Sequence, residues 1–133
     1  MPTTLCLDFL MFPDNTPMPL PFALAGFQFA FFSGGPQAFI NESGGGKGLQ
    51  FPDQGLKILL PLPVTKLSLT LGEFASPIQI ELSNRAGARI ATRATAAPNA
   101  YTNFPFLLRR RVTLVTLRGG THEGILSELC ITF

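Results

Sequence analysis

Alternation with a period of two recurs along most of this chain, while apolar spacing at three and four residues is almost absent, and this pattern restricts the fold most. Over residues 64–71, Leu67, Leu69 and Leu71 alternate with Lys66, Ser68 and Thr70. Successive side chains of an extended chain leave on opposite sides, so this is a strand with one buried and one wet face. Ile78, Ile80 and Leu82 alternate with Gln79 and Glu81 in the same way. Ser83-Asn84-Arg85-Ala86-Gly87 follows, with Asn and Gly suited to positive φ, and then Arg89, Ala91 and Arg93 alternate with Ile90 and Thr92. That succession predicts a hairpin. Further strands are predicted at residues 5–10, 27–32, 56–60, 111–117 and 125–133, with short pieces near Phe39 and Gln50. No helix is predicted.

About eight strands punctuated by turn signals predict an all-β, antiparallel sandwich of the jelly-roll type. The twelve prolines and thirteen glycines fall mostly between the runs, which agrees. A length of 133 residues suits one domain spanning 1–133 with a core of its own. Residues 43–48, too glycine-rich to hold one conformation alone, read as a flexible hairpin loop, and residues 95–105, rich in small residues, read as a loop.

Only 14% of the residues are charged, against about a quarter in an ordinary soluble domain. So little polar material favours a surface covered by other copies or by a larger assembly. The net charge of +2 hides an uneven layout, because no acidic residue occurs between Glu81 and Glu123. Arg85, Arg89, Arg93, Arg109, Arg110, Arg111 and Arg118 all lie in that interval, which implies a local basic field. The apolar runs are cut every few residues, so no membrane span is expected. The N-terminal residues lack a basic stretch followed by an apolar block, and no signal peptide is expected in this chain.

Cys6 lies in Leu5-Cys6-Leu7-Asp8-Phe9 and Cys130 in Leu129-Cys130-Ile131-Thr132-Phe133. With Leu7, Phe9, Ile131 and Phe133 turned inward, both cysteines face the other way. Terminal strands running side by side, as in many jelly rolls, would bring the thiols within bonding distance. A disulfide there closes nearly the whole chain and stabilises it by roughly 4 to 5 kcal/mol on the loop-entropy model. Two free thiols in a reducing compartment are the alternative that the sequence leaves open. A zinc site would need more Cys or His at close spacing.

The run Gly48-Leu49-Gln50-Phe51-Pro52-Asp53-Gln54-Gly55-Leu56-Lys57-Ile58, then Leu60-Pro61, Pro63-Val64 and Leu67-Ser68-Leu69-Thr70-Leu71-Gly72-Glu73-Phe74-Ala75, resembles galactose-binding-like jelly-roll domains of bacterial surface and secreted proteins. Cys6-Leu7-Asp8-Phe9 and Gly119-Gly120-Thr121-His122-Glu123-Gly124-Ile125-Leu126 before Cys130 extend the resemblance over most of the chain. These are turn and strand motifs, and they speak to fold more than to ligand. What the resemblance implies is a domain like the carbohydrate-binding modules, extracellular or surface-associated, which requires no cofactor. Such domains often hold a structural calcium between the first and last strands, and Asp8 and Glu128 are the matching positions here. Calcium takes six to eight oxygens, and the competing reading is two solvent-facing strand residues.

Enzymatic chemistry finds little support. The single His122 lies in a glycine-flanked turn beside Glu123, with no nucleophile-elbow pattern for a Ser-His-Asp arrangement. Eight acidic residues supply a carboxylate pair on paper, but no glycosidase motif accompanies them. Residues 43–48 contain glycines and Lys47 without phosphate-loop spacing. For ligand binding, Tyr101 with Asn103 in a loop is the candidate for sugar contact, there being no Trp and no second Tyr. Arg109 and Arg111 on one strand face, with Arg110 on the other, are the candidates for an anionic ligand; the competing reading is solvated arginines that guard a strand edge. Phe22, Phe27, Phe29, Phe31, Phe32 and Phe39 crowd the first third of the chain, and adjacent Phe31 and Phe32 cannot both enter one core, which suggests a subunit contact.

The expected function is therefore non-catalytic recognition of a carbohydrate or cell surface, within an oligomer or a larger extracellular assembly. The expected partners are a glycan or other anionic surface ligand and further copies of the chain, ahead of nucleic acid. A structural subunit of a filament, capsid or tail is the alternative.

Overall fold

The computed structural model describes residues 2–19, 21–31, 38–96 and 99–133. Eleven strands, more than the eight expected, lie among the described residues: β1 (Thr4–Asp8), β2 (Pro17–Met18), β3 (Phe22–Leu24), β4 (Phe27–Phe31), β5 (Ala38–Ser43), β6 (Gly46–Phe51), β7 (Leu56–Glu73), β8 (Ile78–Ser83), β9 (Arg89–Ala94), β10 (Ala100–Gly119) and β11 (Gly124–Thr132). No described residue is helical, and all the strand pairs are antiparallel.

The two longest strands organise the sandwich. The later part of β7 and the early part of β10 belong to a first sheet with the order β2-β5-β6-β11-β7-β10, where β1 lies along the end of β11. The early part of β7 and the later part of β10 belong to a second sheet with β3 and β4 on one side and β8 and β9 on the other. Both strands turn the corner together. Between Leu59↔Leu114 and Val64↔Val112, β7 advances five residues while β10 advances two; between Val64↔Val112 and Lys66↔Leu107, β10 advances five while β7 advances two. Each strand thus carries three surplus residues on one side of a buried Val64–Val112 pair. Such bulges bend a strand and increase its twist, which lets one strand serve two sheets. Pro61 and Pro63 occupy the bulge of β7, where a missing N–H breaks no ladder.

The inner faces meet in a core that includes Phe9, Phe29, Ile58, Leu69, Leu71, Ile80 and Val115. Phe9, just beyond β1 of the first sheet, meets Phe29 of the second edge-on, with ring centroids 6.1 Å apart. Phe22 stacks on its cross-strand partner Phe29 at 4.6 Å. Phe9 and Phe29, fully buried, each stabilise the fold by about 1.5–3 kcal/mol, and Phe22, partly buried, by less. Arg93 of β9 lies over the Phe104 ring of β10 at 4.9 Å, a cation–π contact.

Three local expectations are corrected. Residues 43–48 form a tight hairpin in which Gly44 and Gly45 take φ of 64° and 89°. This is a two-residue turn that matches strand twist, so the glycines select one conformation. Residues 95–105 are not a loop throughout, because β10 begins at Ala100. Phe133 is 48% exposed, whereas Leu7, Phe9 and Ile131 do face inward. The hairpin at 83–87 forms as expected, with the Asn84 side-chain oxygen accepting from the N–H groups of Ala86 and Ala88. The Phe31 and Phe32 side chains lie outside the described residues.

Candidate functional site

The outer face of the first sheet collects most of the candidate residues. β1 and β11 begin their pairing at Thr3 and Phe133, which exchange two backbone hydrogen bonds of 2.6 and 2.8 Å. Alternation then puts Cys6 and Cys130 at a non-hydrogen-bonded pair, the position where side chains approach most closely. There they form a disulfide.

The same registers extend across four strands. One row runs Asp8, Glu128, Thr70, Asn103; the next Cys6, Cys130, Ser68, Pro105; the third Thr4, Thr132, Lys66, Leu107. The Asn103 amide donates to the Thr70 hydroxyl at 3.0 Å, and the hydroxyls of Thr4 and Thr132 are 3.2 Å apart. A groove of about 530 Å³ opens on this face, lined among others by Asn103, Pro105, Leu107, Lys66, Ser68 and Thr132. Its floor is mostly apolar and its rim is amide, hydroxyl and ammonium, a combination suited to the two sides of a sugar ring.

Tyr101 stands on β10 and not in a loop. Its ring seats against Gly46 and Gly72, where a Cβ would come within 2.7 and 2.8 Å of it. Phe74 meets it edge-on at 5.3 Å, and its hydroxyl donates to the Ser43 carbonyl at 3.0 Å. Burial raises its pKa above the ordinary 10.0 by desolvating the phenolate. Tyr101 is therefore a fixed wall of the face, held by the β5–β6 hairpin. Beyond that hairpin the Asn41 amide donates to Gln50 at 2.6 Å, and the Gln50 amide donates to the His122 carbonyl at 2.7 Å.

Asp8 and Glu128 are direct cross-strand partners. Asp8 Oδ1 accepts the Leu10 N–H at 3.1 Å, and the Glu128 carboxylate lies within 4.8 Å of the sulfurs of Cys6 and Cys130, which the disulfide removes as metal ligands. Two carboxylates fall short of a calcium cage, so any such ion would draw its remaining oxygens from backbone and water.

Arg109, Arg110 and Arg111 depart from strict alternation. They occupy the β10 bulge opposite Thr65, and all three are exposed. Arg109 and Arg111 thus follow Leu107, which lines the groove, in the stretch where the β7–β10 register shifts. His122 forms a local pair with Asp53, its Nε2 3.2 Å from the carboxylate and its Nδ1 accepting the Asp53 N–H at 3.2 Å. Lys66, Ser68 and Thr70, absent from the expected site, were visible as the wet face of β7. Their alignment with Asn103 depends on register, which one strand's sequence does not carry.

No protein-family model matches the chain, and no curated protein matches it. Solved structures do. A point mutant of a family 29 carbohydrate-binding module superposes with a TM-score of 0.56 at 9% identity, covering 99% of this chain and 86% of that one. Another mutant of that module, complexed with mannohexaose, gives 0.55 at 10% identity, over 99% and 92%. An arabinose-bound α-L-arabinofuranosidase gives 0.50 at 17% identity over 89% of this chain, but only 24% of the enzyme. The chain is thus a β-sandwich of the kind found in carbohydrate-binding modules. At these identities the likeness defines the fold and leaves the ligand to the site.

Proposed function

We propose that the protein is a non-catalytic carbohydrate-binding module whose glycan lies on the outer face of the first sheet. The observation that carries this is the register of β1, β11, β7 and β10, which sets the Asp8–Glu128–Thr70–Asn103 row beside a groove with an apolar floor. Amides, hydroxyls and carboxylates match sugar hydroxyls, and Pro105 and Leu107 offer apolar surface to the C–H face of a pyranose. The sandwich likeness to family 29 modules supports the same reading. The disulfide supports secretion or surface display, since such bonds persist in oxidising compartments.

Affinity electrophoresis through gels containing neutral or acidic polysaccharides tests the proposal. At least one polysaccharide retards the protein, and calorimetry with its oligosaccharide gives a dissociation constant between about 1 μM and 1 mM. Asn103→Ala weakens that binding about three- to tenfold, as expected for one hydrogen bond, while the loss of its exposed bond to Thr70 lowers stability by no more than about 1 kcal/mol. Absence of saturable binding to every polysaccharide, together with concentration-dependent polymerisation, would favour the structural-subunit alternative.

A further inference from the structure

We infer that the ligand is an acidic polysaccharide, its carboxylate or sulfate groups held by the three-arginine bulge of β10 and its sugar rings by the adjoining groove; this rests on the carbohydrate-binding function proposed above. The surplus residues that turn β10 through the corner leave Arg109, Arg110 and Arg111 without β7 partners in the ladder. All three are exposed, and no hydrogen bond or ion pair engages their side chains among the described residues. Three adjacent cations at a bend that needs only surplus backbone exceed what solubility requires. Guanidinium is the side chain best shaped for bidentate contact with a planar carboxylate or with sulfate.

Continuity with the groove selects the class of anion. The bulge begins just past Leu107, which lines the groove's end, and Lys66, the cross-strand partner of Leu107, is the one charged residue lining the groove among the described residues. The acidic pair Asp8 and Glu128 stands in the row farthest from the bulge. Charge on this face thus runs from basic at the corner to acidic two rows away. A chain of sugars crossing it would keep its acidic groups at the arginine end and its hydroxyls toward Asn103 and Thr70. Single-stranded nucleic acid stacks its bases on exposed aromatic rings, and the rings at this face among the described residues are Tyr101, packed against Phe74, and the half-buried Phe106 of the groove lining.

The test is calorimetric titration with polymannuronate oligomers and, in parallel, neutral manno-oligosaccharides of equal length. The proteins compared are wild type, Arg110→Ala and the double variant Arg109→Ala/Arg111→Ala. Thermal melts verify folding, which these exposed positions should not disturb. The expected result is tighter binding of the acidic oligomer, weakened about tenfold or more in the double variant and falling as salt rises. Equal binding of both oligomers, unchanged by the arginine variants, overturns the inference and leaves the carbohydrate-binding function standing. Binding of neither, nor of any other polysaccharide, overturns both. Arginine-dependent binding to single-stranded DNA or to anionic phospholipid vesicles that exceeds binding to the acidic oligomer assigns the bulge to that partner and overturns the inference.

Discussion

Removing the Cys6–Cys130 bond should cost this fold more than any other exposed change. The bond spans a sequence separation of 124 residues, so it closes nearly the whole chain and restricts the unfolded ensemble rather than adding a large native contact. For a loop of that length the chain-entropy relation gives a loss of about 16 cal/mol/K, hence about 5 kcal/mol at 25 °C. For 133 residues, the unfolding entropy near the midpoint is about 0.28 kcal/mol/K, which turns this loss into a drop in Tm of about 15–20 °C. The double variant Cys6→Ser/Cys130→Ser isolates the effect, because Cys6 is exposed and Cys130 half-buried, and serine fits both places. Urea unfolding of wild type and variant without reductant measures it. The variant should also show a steeper dependence on urea, since its unfolded chain exposes more surface. A loss below about 2 kcal/mol with an unchanged slope would refute the reasoning. The bond would then only pin β1 to β11 in the native state.

Tyr101 is the sole tyrosine and there is no tryptophan, so phenolate absorbance reports on one residue. Its native midpoint should lie above 10.0 and return to that value in denaturant; because the folded pKa is the raised one, the associated stability is intact below pH 10 and is lost as pH climbs through the native midpoint. A native midpoint at or below 10.0 contradicts the packing against Gly46, Gly72 and Phe74. Phe29→Ala removes the ring joining Phe9 to Phe22 and should destabilise by about 3–5 kcal/mol in chemical denaturation. A loss under about 1 kcal/mol would deny that Phe29 bridges the sheets. Calcium chelation should leave Tm unchanged, given only the Asp8 and Glu128 carboxylates at the β1–β11 pair; a drop reversed by calcium and abolished in Glu128→Gln would show that other oxygens complete a cage there.

Much of the sheet was legible because alternation reports which side chains share a face. Leu67, Leu69 and Leu71 are buried, and Lys66, Ser68 and Thr70 form the opposite face, as the pattern required. The common phase of Cys6 and Cys130 was legible for the same reason, but their pairing needed the β1–β11 register. Alternation misled where strands bend. Alternation divides the triplet Arg109–Arg111 between two faces, but the triplet lies in a register shift where all three residues are exposed. Residues 100–105 looked like loop because small residues and Pro105 weaken strand propensity. Pro105 is tolerated because β10 has β7 as its only ladder partner there, so its missing N–H can face the open edge. The candidate site shares this limit: the sequence offers Asn103 for sugar and Asp8 and Glu128 for a metal as separate candidates, and only three inter-strand registers join them, with Thr70, in one row.

The central claim is that the outer face of the first sheet holds a glycan, and backbone amide NMR tests it directly. Mannohexaose and a mannuronate hexamer are titrated into the isotope-labelled protein, and shifted amides are mapped. The account predicts saturable shifts for at least one oligomer, centred on Asn103, Thr70, Ser68, Lys66 and Thr132, with the amides of β8 and β9 unmoved. Shifts centred on the second sheet, at Leu59 and Leu114, would contradict it.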